Sequence, residues 1–404
     1  MRILYADSVA ESGVERLRAA GHECHVDPAL TAESLPAAIA GHDVLVVRST
    51  RVTAEAIEAA DRLGLIVRAG AGTDNIDKAA ASGRGVFVCN VPGRNAVAVA
   101  ELTMGLLLAI DRRIPDNVAE LRAGTWSKSE YSRADGLYGK RLGIIGLGDI
   151  GLAVAERARA FGLTVSTVRR PERPDATLAA IRTIGIRLVE SIDDLLASSD
   201  IVSIHVPKAD GTIGMVDRKF LSRMAPGSIL LNTARGDVVD GAALLEALDS
   251  GGLRAGLDVW PDEPAGGSGT IESALARHPR VVGTHHIGAS TDQAQRSVSD
   301  GVVDVVNAYL AGSPAGCVNL RSEPSGACGL AIRHVDRVGV LAKVLAELRT
   351  GGLNVQQMRN QVFQGGEAAV ATINVDPDPD ETLLKALAAI DEVLGVAVVA
   401  PTPA

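Results

Sequence analysis

The segment Arg141–Gly151, RLGIIGLGDIG, most narrows what this chain can fold into, because an apolar run leads straight into Gly146-x-Gly148-x-x-Gly151. Leu142–Ile145 reads as a buried strand. Leu152, Val154, Ala155, Ala158 and Phe161 then fall at helical spacing, and Leu163–Val168 is β-branched enough to be the next strand. Strand, glycine turn, helix, strand is the setting in which these glycines bind a dinucleotide. Gly146 permits the tight turn, Gly148 lets the backbone approach a pyrophosphate, and Gly151 lets the helix pack onto the strand. The phosphates then lie at the positive end of the helix.

About 20 residues past such glycines, an Asp or Glu ordinarily holds the adenosine ribose. Here the strand ends STVRR, which puts Arg169 and Arg170 at that place. A guanidinium pairs with a 2′-phosphate that a carboxylate would repel, so the cofactor is NAD(H) or NADP(H), with Arg169 leaning to NADP(H). The competing reading leaves both arginines solvated at a strand end.

At 404 residues the chain is long enough for two to three domains, each with its own core. A net charge of −9 and the lack of a dense Lys/Arg block argue against a nucleic-acid partner. Glu101 and Asp111 bracket the apolar stretch Leu102–Ile110, leaving it too short to span a membrane. Cys24, Cys89, Cys317 and Cys328 show no metal-type spacing, so no metal is expected, and the thiols fit a reduced, cytoplasmic setting.

Along the first ~95 residues, Arg2–Ala6, Asp43–Val47, Leu65–Ala69 and Val86–Cys89 read as strands, with helical pieces at Ala54–Ala60 and Asp77–Ser82. This alternation predicts a parallel sheet covered on both faces. Ala96–Ile110 reads as a long helix leading into the fingerprint domain, Thr291–Leu310 as another helix, and Gly312–Ala327 has linker composition. The remainder reads as a separate βαββαβ module of ferredoxin-like type: strands at Gly329–Val335, Leu353–Phe363, Ala368–Val375 and Val393–Val399, a helix at Val340–Leu348, and another after the acidic Pro-rich turn.

Three segments after the fingerprint carry reactive side chains. LLNTARGDVV (230–239) is read as a strand ending at Arg235-Gly236, LDVWPDEP (257–264) leads to Glu263, and VVGTHHIGAST (281–291) presents His285-His286. Each lies at a strand C-terminal end, where open α/β sheets bind ligands. An arginine that grips a carboxylate, a histidine that takes a hydroxyl proton and a carboxylate that orients the histidine are what a hydroxy-acid dehydrogenase needs.

With these segments, the chain resembles the D-isomer-specific 2-hydroxyacid dehydrogenases, and among them the phosphoglycerate dehydrogenases. The resemblance runs through VVRSTRVTAEAI (46–57), VRAGAGTDNID (67–77), NVPGRNAVAVAEL (90–102), SIHVPKADGTIGMV (203–216), NTARGDVVD, LDVWPDEP and HHIGASTDQAQ. It implies Arg235 as ligand of the carboxylate and C2 oxygen, Glu263 as the histidine's partner, and His286 as proton carrier. Implied cofactor contacts are Gly146, Gly148, Asp149, Ile150, Gly151, Val206, Thr233 and, for the nicotinamide amide, Asp258. The substrate would be a small phosphorylated hydroxy acid, its phosphate gripped at Arg48-Ser49 and its carboxylate by backbone donors of Gly70-Ala71. Lys128 would reach a neighbouring subunit's site in a homo-oligomer, dimer or tetramer.

The implied fold is a Rossmann-type dinucleotide domain (98–287) inserted in a flavodoxin-like substrate domain (1–97 and 288–318). A linker (319–327) and a C-terminal ferredoxin-like module (328–404) follow. That module resembles an ACT domain through HVDRVGVL (334–341) and GLNV (352–355), with His334, Asp336 and Asn354 at the positions of amino-acid effector contacts, serine foremost. With no long insert before it, the chain resembles the short form of the enzyme. Two other functions stay open: an NADPH-dependent glyoxylate or hydroxypyruvate reductase, and a non-catalytic dinucleotide-sensing co-repressor.

Overall fold

A computed structural model describes residues 1–264, 269–320 and 326–401. They divide into two compact units, Met1–Val318 and Asn319–Ala404.

The first unit holds two parallel sheets. One comprises β1 (Arg2–Tyr5), β2 (Glu23–Val26), β3 (Val44–Val47), β4 (Leu65–Arg68) and β5 (Phe87–Asn90) in the order β2-β1-β3-β4-β5. This is the flavodoxin-like arrangement. β2 is an addition to the strands expected: its sequence, ECHV, has little apolar character because it is an edge strand. The helix Asp292–Leu310 returns to this sheet, burying Val302, Val303, Val305 and Val306 against Ile3, Val44 and Val67. Thr291 caps it by accepting from the Ala294 amide at 3.1 Å, and Arg16 pairs with Asp300 at 2.6 Å.

The second sheet comprises β6 (Arg141–Ile145), β7 (Thr164–Val168), β8 (Arg187–Val189), β9 (Ile201–Ile204), β10 (Ser228–Asn232), β11 (Leu253–Leu257) and β12 (Val281–Gly283). Its order is β12-β11-β10-β9-β6-β7-β8, the doubly wound dinucleotide-binding topology, which reverses direction between β6 and β9 and opens a crevice there. The helix Ala96–Arg112 packs beneath it. Ala100, Met104, Leu107 and Ile110 join Leu142 and Ile144 in one core. Leu107 is fully enclosed, so truncating it to alanine should cost about 2–5 kcal/mol. Arg113, at φ 48°, ends this helix and Pro115 helps start the next, Ile114–Arg122.

Part of the stretch with linker composition is ordered against the first sheet. Asn90 N donates to Gly316 O at 3.0 Å and Val318 N to Val88 O at 2.8 Å, which sets Cys317 opposite Cys89. Burial, then the neighbouring Cys317, pushes the Cys89 thiol up to about 12. Residues 321–325 of the expected linker lie outside the described residues, as do 402–404.

In the second unit, β13 (Cys328–Val335), β14 (Asn354–Val362), β15 (Ala368–Asp376) and β16 (Val393–Val399) form an antiparallel sheet in the order β14-β15-β13-β16. Helices Val340–Thr350 and Glu381–Ala388 complete a ferredoxin-like βαββαβ module. Leu330, Ile332, Val344, Leu348, Ile373 and Leu387 fill its core. Among the described residues, no helix is long and apolar enough to cross a membrane.

Candidate active site

Between β6 and the helix Asp149–Ala160 the chain makes the turn its glycines allow. Gly146 sits at φ 92°, and a Cβ there would overlap the His205 carbonyl at the end of β9. A Cβ at Gly151 would overlap the Gly146 carbonyl, so helix and strand approach as closely as backbone permits. At Gly148, the residue before the helix, a Cβ would meet only open space. Open space in front of a twelve-residue helix's free amides fits a pyrophosphate. Ile150 is half-buried behind this turn, and the Asp149 carboxylate lies against Gly93 from the loop after β5.

Further along the crevice, Val206 is half-buried just beyond β9. Thr233 is buried, its hydroxyl 3.0 Å from that of Thr103 on the long helix. At the end of β7, Arg169 and Arg170 are exposed, and Arg169 Nε donates to Glu190 Oε1 at 3.0 Å.

The three strand-end loops of the second sheet converge. β10 stops at Asn232, short of the Arg235-Gly236 end read from the sequence. Asn232 turns the chain, accepting from the Ala234 amide at 3.0 Å and donating to Arg235 O at 2.8 Å. Trp260 ties the loops together: its indole N–H donates to Thr284 O at 2.9 Å, and its backbone and ring fill the space that a Cβ at Gly236 or Gly283 would occupy.

His286 Nδ1 lies 2.8 Å from Glu263 Oε2, while Glu263 Oε1 accepts from the Trp260 amide at 2.8 Å. Burial pushes the Glu263 carboxyl up. The hydrogen bonds from His286 and Trp260, with the charges of His286 and Arg235, outweigh it and hold the carboxyl below the usual range. With Nδ1 engaged, Nε2 is the histidine nitrogen left for a substrate proton.

His286 is held at φ 52°, a left-handed conformation that a non-glycine residue keeps only when its surroundings enforce it. The enforcer is Asp258. Its buried carboxylate accepts from the Thr284 hydroxyl at 2.6 Å and from the Ile287 and Gly288 amides at 2.9 Å each, and its carbonyl accepts from the His286 amide at 2.7 Å. Three of the roughly four hydrogen bonds a carboxylate can accept are thus made within the protein, and Asp258 is buried.

On the first sheet's side, Asp7 accepts from the backbone amides of Arg48, Ser49 and Thr50, the Arg48 contact being 2.6 Å, and fixes the turn after β3. What this turn offers a ligand is therefore side chains: the Ser49 hydroxyl and the Arg48 guanidinium, which reaches Ser290 Oγ at 3.3 Å. Arg235 Nε donates to Asp74 Oδ2 at 3.0 Å, and the guanidinium lies where a Cβ at Gly72 would stand. The Gly70 amide, expected as a carboxylate donor, turns back onto Arg68 O at 2.8 Å, closing a three-residue turn about Ala69. Ala71 is half-buried beside it, its carbonyl accepting from Asn90 at 2.6 Å. Lys128 is exposed on the loop after Ile114–Arg122 and makes no ion pair among the described residues.

The sequence reading missed Asp7, Arg68 and Asp74. Their only signal was polarity at the ends of apolar strands or in the glycine loop that follows. In the second unit His334 is buried, with Nδ1 2.8 Å from Val335 O and Nε2 3.1 Å from Asn360 Oδ1, while Asp336 and Asn354 are exposed. No group of three or more described His, Cys, Asp or Glu residues is arranged to hold a metal.

Comparison with known proteins agrees with this geometry. Residues 104–288 match the family model described as D-isomer specific 2-hydroxyacid dehydrogenase, NAD binding domain. A D-3-phosphoglycerate dehydrogenase of Methanocaldococcus jannaschii is 36% identical over 372 residues, 91% of this chain and 68% of the relative. The chain thus spans about two thirds of that enzyme's length. A hydroxypyruvate reductase of Thermotoga maritima is 43% identical over 65% of this chain and 83% of its own.

Among solved structures, an NAD-dependent formate dehydrogenase from Staphylococcus aureus in complex with NAD has a TM-score of 0.66 and 32% identity, covering 78% of this chain and 97% of that one. An acyclic imino acid reductase in complex with NADPH and D-Arg has a TM-score of 0.69 and 26% identity, covering 79% and 100%. Fold, converging loops and extended similarity agree: this chain belongs to the D-isomer-specific 2-hydroxyacid dehydrogenase family.

Proposed function

We propose that this enzyme oxidises D-3-phosphoglycerate to 3-phosphohydroxypyruvate, the first step of L-serine biosynthesis. The observation that carries the reading is the pairing of Arg235, Glu263 and His286 with an arginine-bearing turn at Arg48-Ser49 across the same cleft. Arg235 takes the carboxylate and C2 oxygen as a charge-assisted fork. His286 Nε2 accepts the C2 hydroxyl proton, and Glu263 keeps the imidazole oriented and favours its charged form. A nicotinamide cofactor held at the Gly146–Gly151 turn would supply the acceptor for the C2 hydride. Arg48 and Ser49 meet the phosphate.

For the cofactor, arginines at 169 and 170 in place of a ribose-binding acid support NADP(H). One observation favours NAD(H) instead: Glu190 pairs with Arg169 and brings a carboxylate back to this place.

The C-terminal module, as an ACT-like domain, would bind serine or a related amino acid at a seam between two copies, with Asp336 and Asn354 exposed to meet it and His334 behind them. Met358, Val362, Leu394 and Val398 are exposed on its edge strands, which suits pairing with a second copy and hence a homo-oligomer. Reduction assays with 3-phosphohydroxypyruvate, hydroxypyruvate and glyoxylate, each with NADH and NADPH, test the reading. A clear preference for the phosphorylated acid supports it. Equal or better use of hydroxypyruvate makes the enzyme a hydroxypyruvate reductase.

A further inference from the structure

We infer that Cys89 and Cys317 are a redox-active dithiol, which a two-electron oxidation joins in a disulfide that fastens the segment after the return helix onto the first sheet. That segment runs antiparallel to β5, and Cys317 stands opposite Cys89. The two backbone bonds that hold it, Asn90 N to Gly316 O at 3.0 Å and Val318 N to Val88 O at 2.8 Å, flank the cysteine pair rather than join it. Cys89 and Cys317 are therefore a non-hydrogen-bonded antiparallel pair, the closer of the two kinds, with Cα atoms about 4.5 Å apart and both side chains on one face. That spacing lies within the range of about 4.4–6.8 Å that a disulfide spans. Gly316 allows the close approach: it holds φ 67°, and a Cβ there would overlap the Asn90 carbonyl.

The two sulfurs share their surroundings. Cys89 is fully buried in the core that holds Val67 and Val303, and Cys317 is half-buried at the edge of the same core. After burial, what raises the Cys89 thiol most is Cys317, through its charge and a hydrogen bond, as expected of sulfurs within reach of one another. The chain's other two cysteines are placed differently: Cys24 stands opposite Ile3, and Cys328 opposite Val375.

With a hydroperoxide as oxidant, Cys317 is the sulfur met first, since Cys89 is enclosed and its thiol is held protonated. With hydrogen peroxide, the Cys317 sulfur attacks one oxygen, an S–O bond forms, the O–O bond breaks, and the departing hydroxide takes up the thiol proton as water. The Cys89 sulfur then attacks the sulfenic sulfur, the S–S bond forms, the S–O bond breaks, and a second water leaves with the Cys89 proton. Two thiols are oxidised and one peroxide is reduced. A dithiol reductant reverses the bond by exchange.

The disulfide would act at a consequential place. Val318, one residue on, ends the first compact unit. Directly after Cys89, the Asn90 side chain donates to Ala71 O at 2.6 Å and the Val91 amide to Gly70 O at 2.9 Å, bracing the glycine loop of the cleft.

The test treats the full-length protein with one equivalent of hydrogen peroxide, unfolds it in excess N-ethylmaleimide and maps its peptides by mass spectrometry. Wild type should label at two cysteines fewer than the reduced protein and yield a linked Cys89–Cys317 peptide. On non-reducing denaturing electrophoresis it should run ahead of the reduced chain, because a covalent loop from 89 to 317 is closed, and dithiothreitol should restore the slower band. Cys24→Ser and Cys328→Ser should behave as wild type, and Cys317→Ser should give neither the link nor the fast band. Closing so long a loop should also raise the melting temperature of oxidised wild type by several degrees, a rise absent from Cys317→Ser. Labelling of all four cysteines after oxidation, a link that forms only in the unfolded chain, or Cys317 trapped as sulfinic acid with Cys89 still labelled would overturn the assignment.

Discussion

The two sides of the cleft are held differently. Where β10, β11 and β12 end, Asn232, Asp258 and Glu263 have their side-chain groups engaged within the protein. They fix Arg235 and a left-handed His286 before any ligand arrives. Where β3 and β4 end, Asp7 shapes the backbone, but the guanidiniums of Arg48 and Arg68 are left without carboxylate partners among the described residues. Groups that must hold a reacting atom to within fractions of an ångström are preorganised by buried hydrogen bonds. Groups that must recognise charge are left unpaired, so that the ligand completes them. The contrast predicts that changes on the first side lower the rate on every substrate, and changes on the second alter the choice of substrate.

The strongest test of that division is His286→Ala. General acid–base catalysis contributes about 10²–10⁴-fold, and turnover should fall by that order on phosphorylated and unphosphorylated acids alike. NADH binding, followed by fluorescence titration, should survive. A fall confined to one substrate would break the comparison.

Asp258→Ala should come next. It strands one hydroxyl and two amides that now donate to a carboxylate. Each such bond is worth about 1.5–3 kcal/mol, so both the melting temperature and kcat should drop clearly, with substrate preference unchanged.

Glu263→Gln should lower kcat by about tenfold and reshape its pH profile. Because the folded carboxyl sits below its ordinary value, its contribution to stability is present above that value and is lost as pH falls through the lowered one. Thermal melts of wild type should therefore weaken on acidification below about pH 4.5, and those of the Gln variant less so. A Gln variant that loses as much stability on acidification would place the responsible carboxyl elsewhere.

Arg169→Asp should have the smallest effect, a shift of about tenfold toward NADH in the ratio of kcat/KM values. The Arg169–Glu190 pair is exposed, so breaking it should hardly change stability. An unchanged ratio would make the arginine a solvated residue outside the cofactor site.

Much of the site was legible because the chemistry is written locally. Gly146-x-Gly148-x-x-Gly151 between strand and helix constrains backbone alone, and Arg235, Glu263 and His286 each follow a short apolar strand. The supports were not legible. Asp7 serves Arg48 from 41 residues away and Asp74 holds Arg235 from 161 away, separations that no periodicity marks. Asp258 was picked out for the cofactor, yet the fold also makes it the clamp on the histidine turn. β2 escaped notice because an edge strand needs little apolar patterning, and Gly312–Val318 looked like linker although its backbone pairs with β5.

The most direct test of the account is the ratio of kcat/KM for 3-phosphohydroxypyruvate to that for hydroxypyruvate, measured in wild type, Arg48→Ala and Glu263→Gln. The ratio should be well above about tenfold in wild type, on the worth of a charge-assisted contact. It should collapse toward unity in Arg48→Ala and keep its wild-type value in Glu263→Gln, even as the absolute rates fall. A ratio near unity in wild type, or one that moves with Glu263 and not with Arg48, would contradict the division of the cleft into a side that reacts and a side that selects.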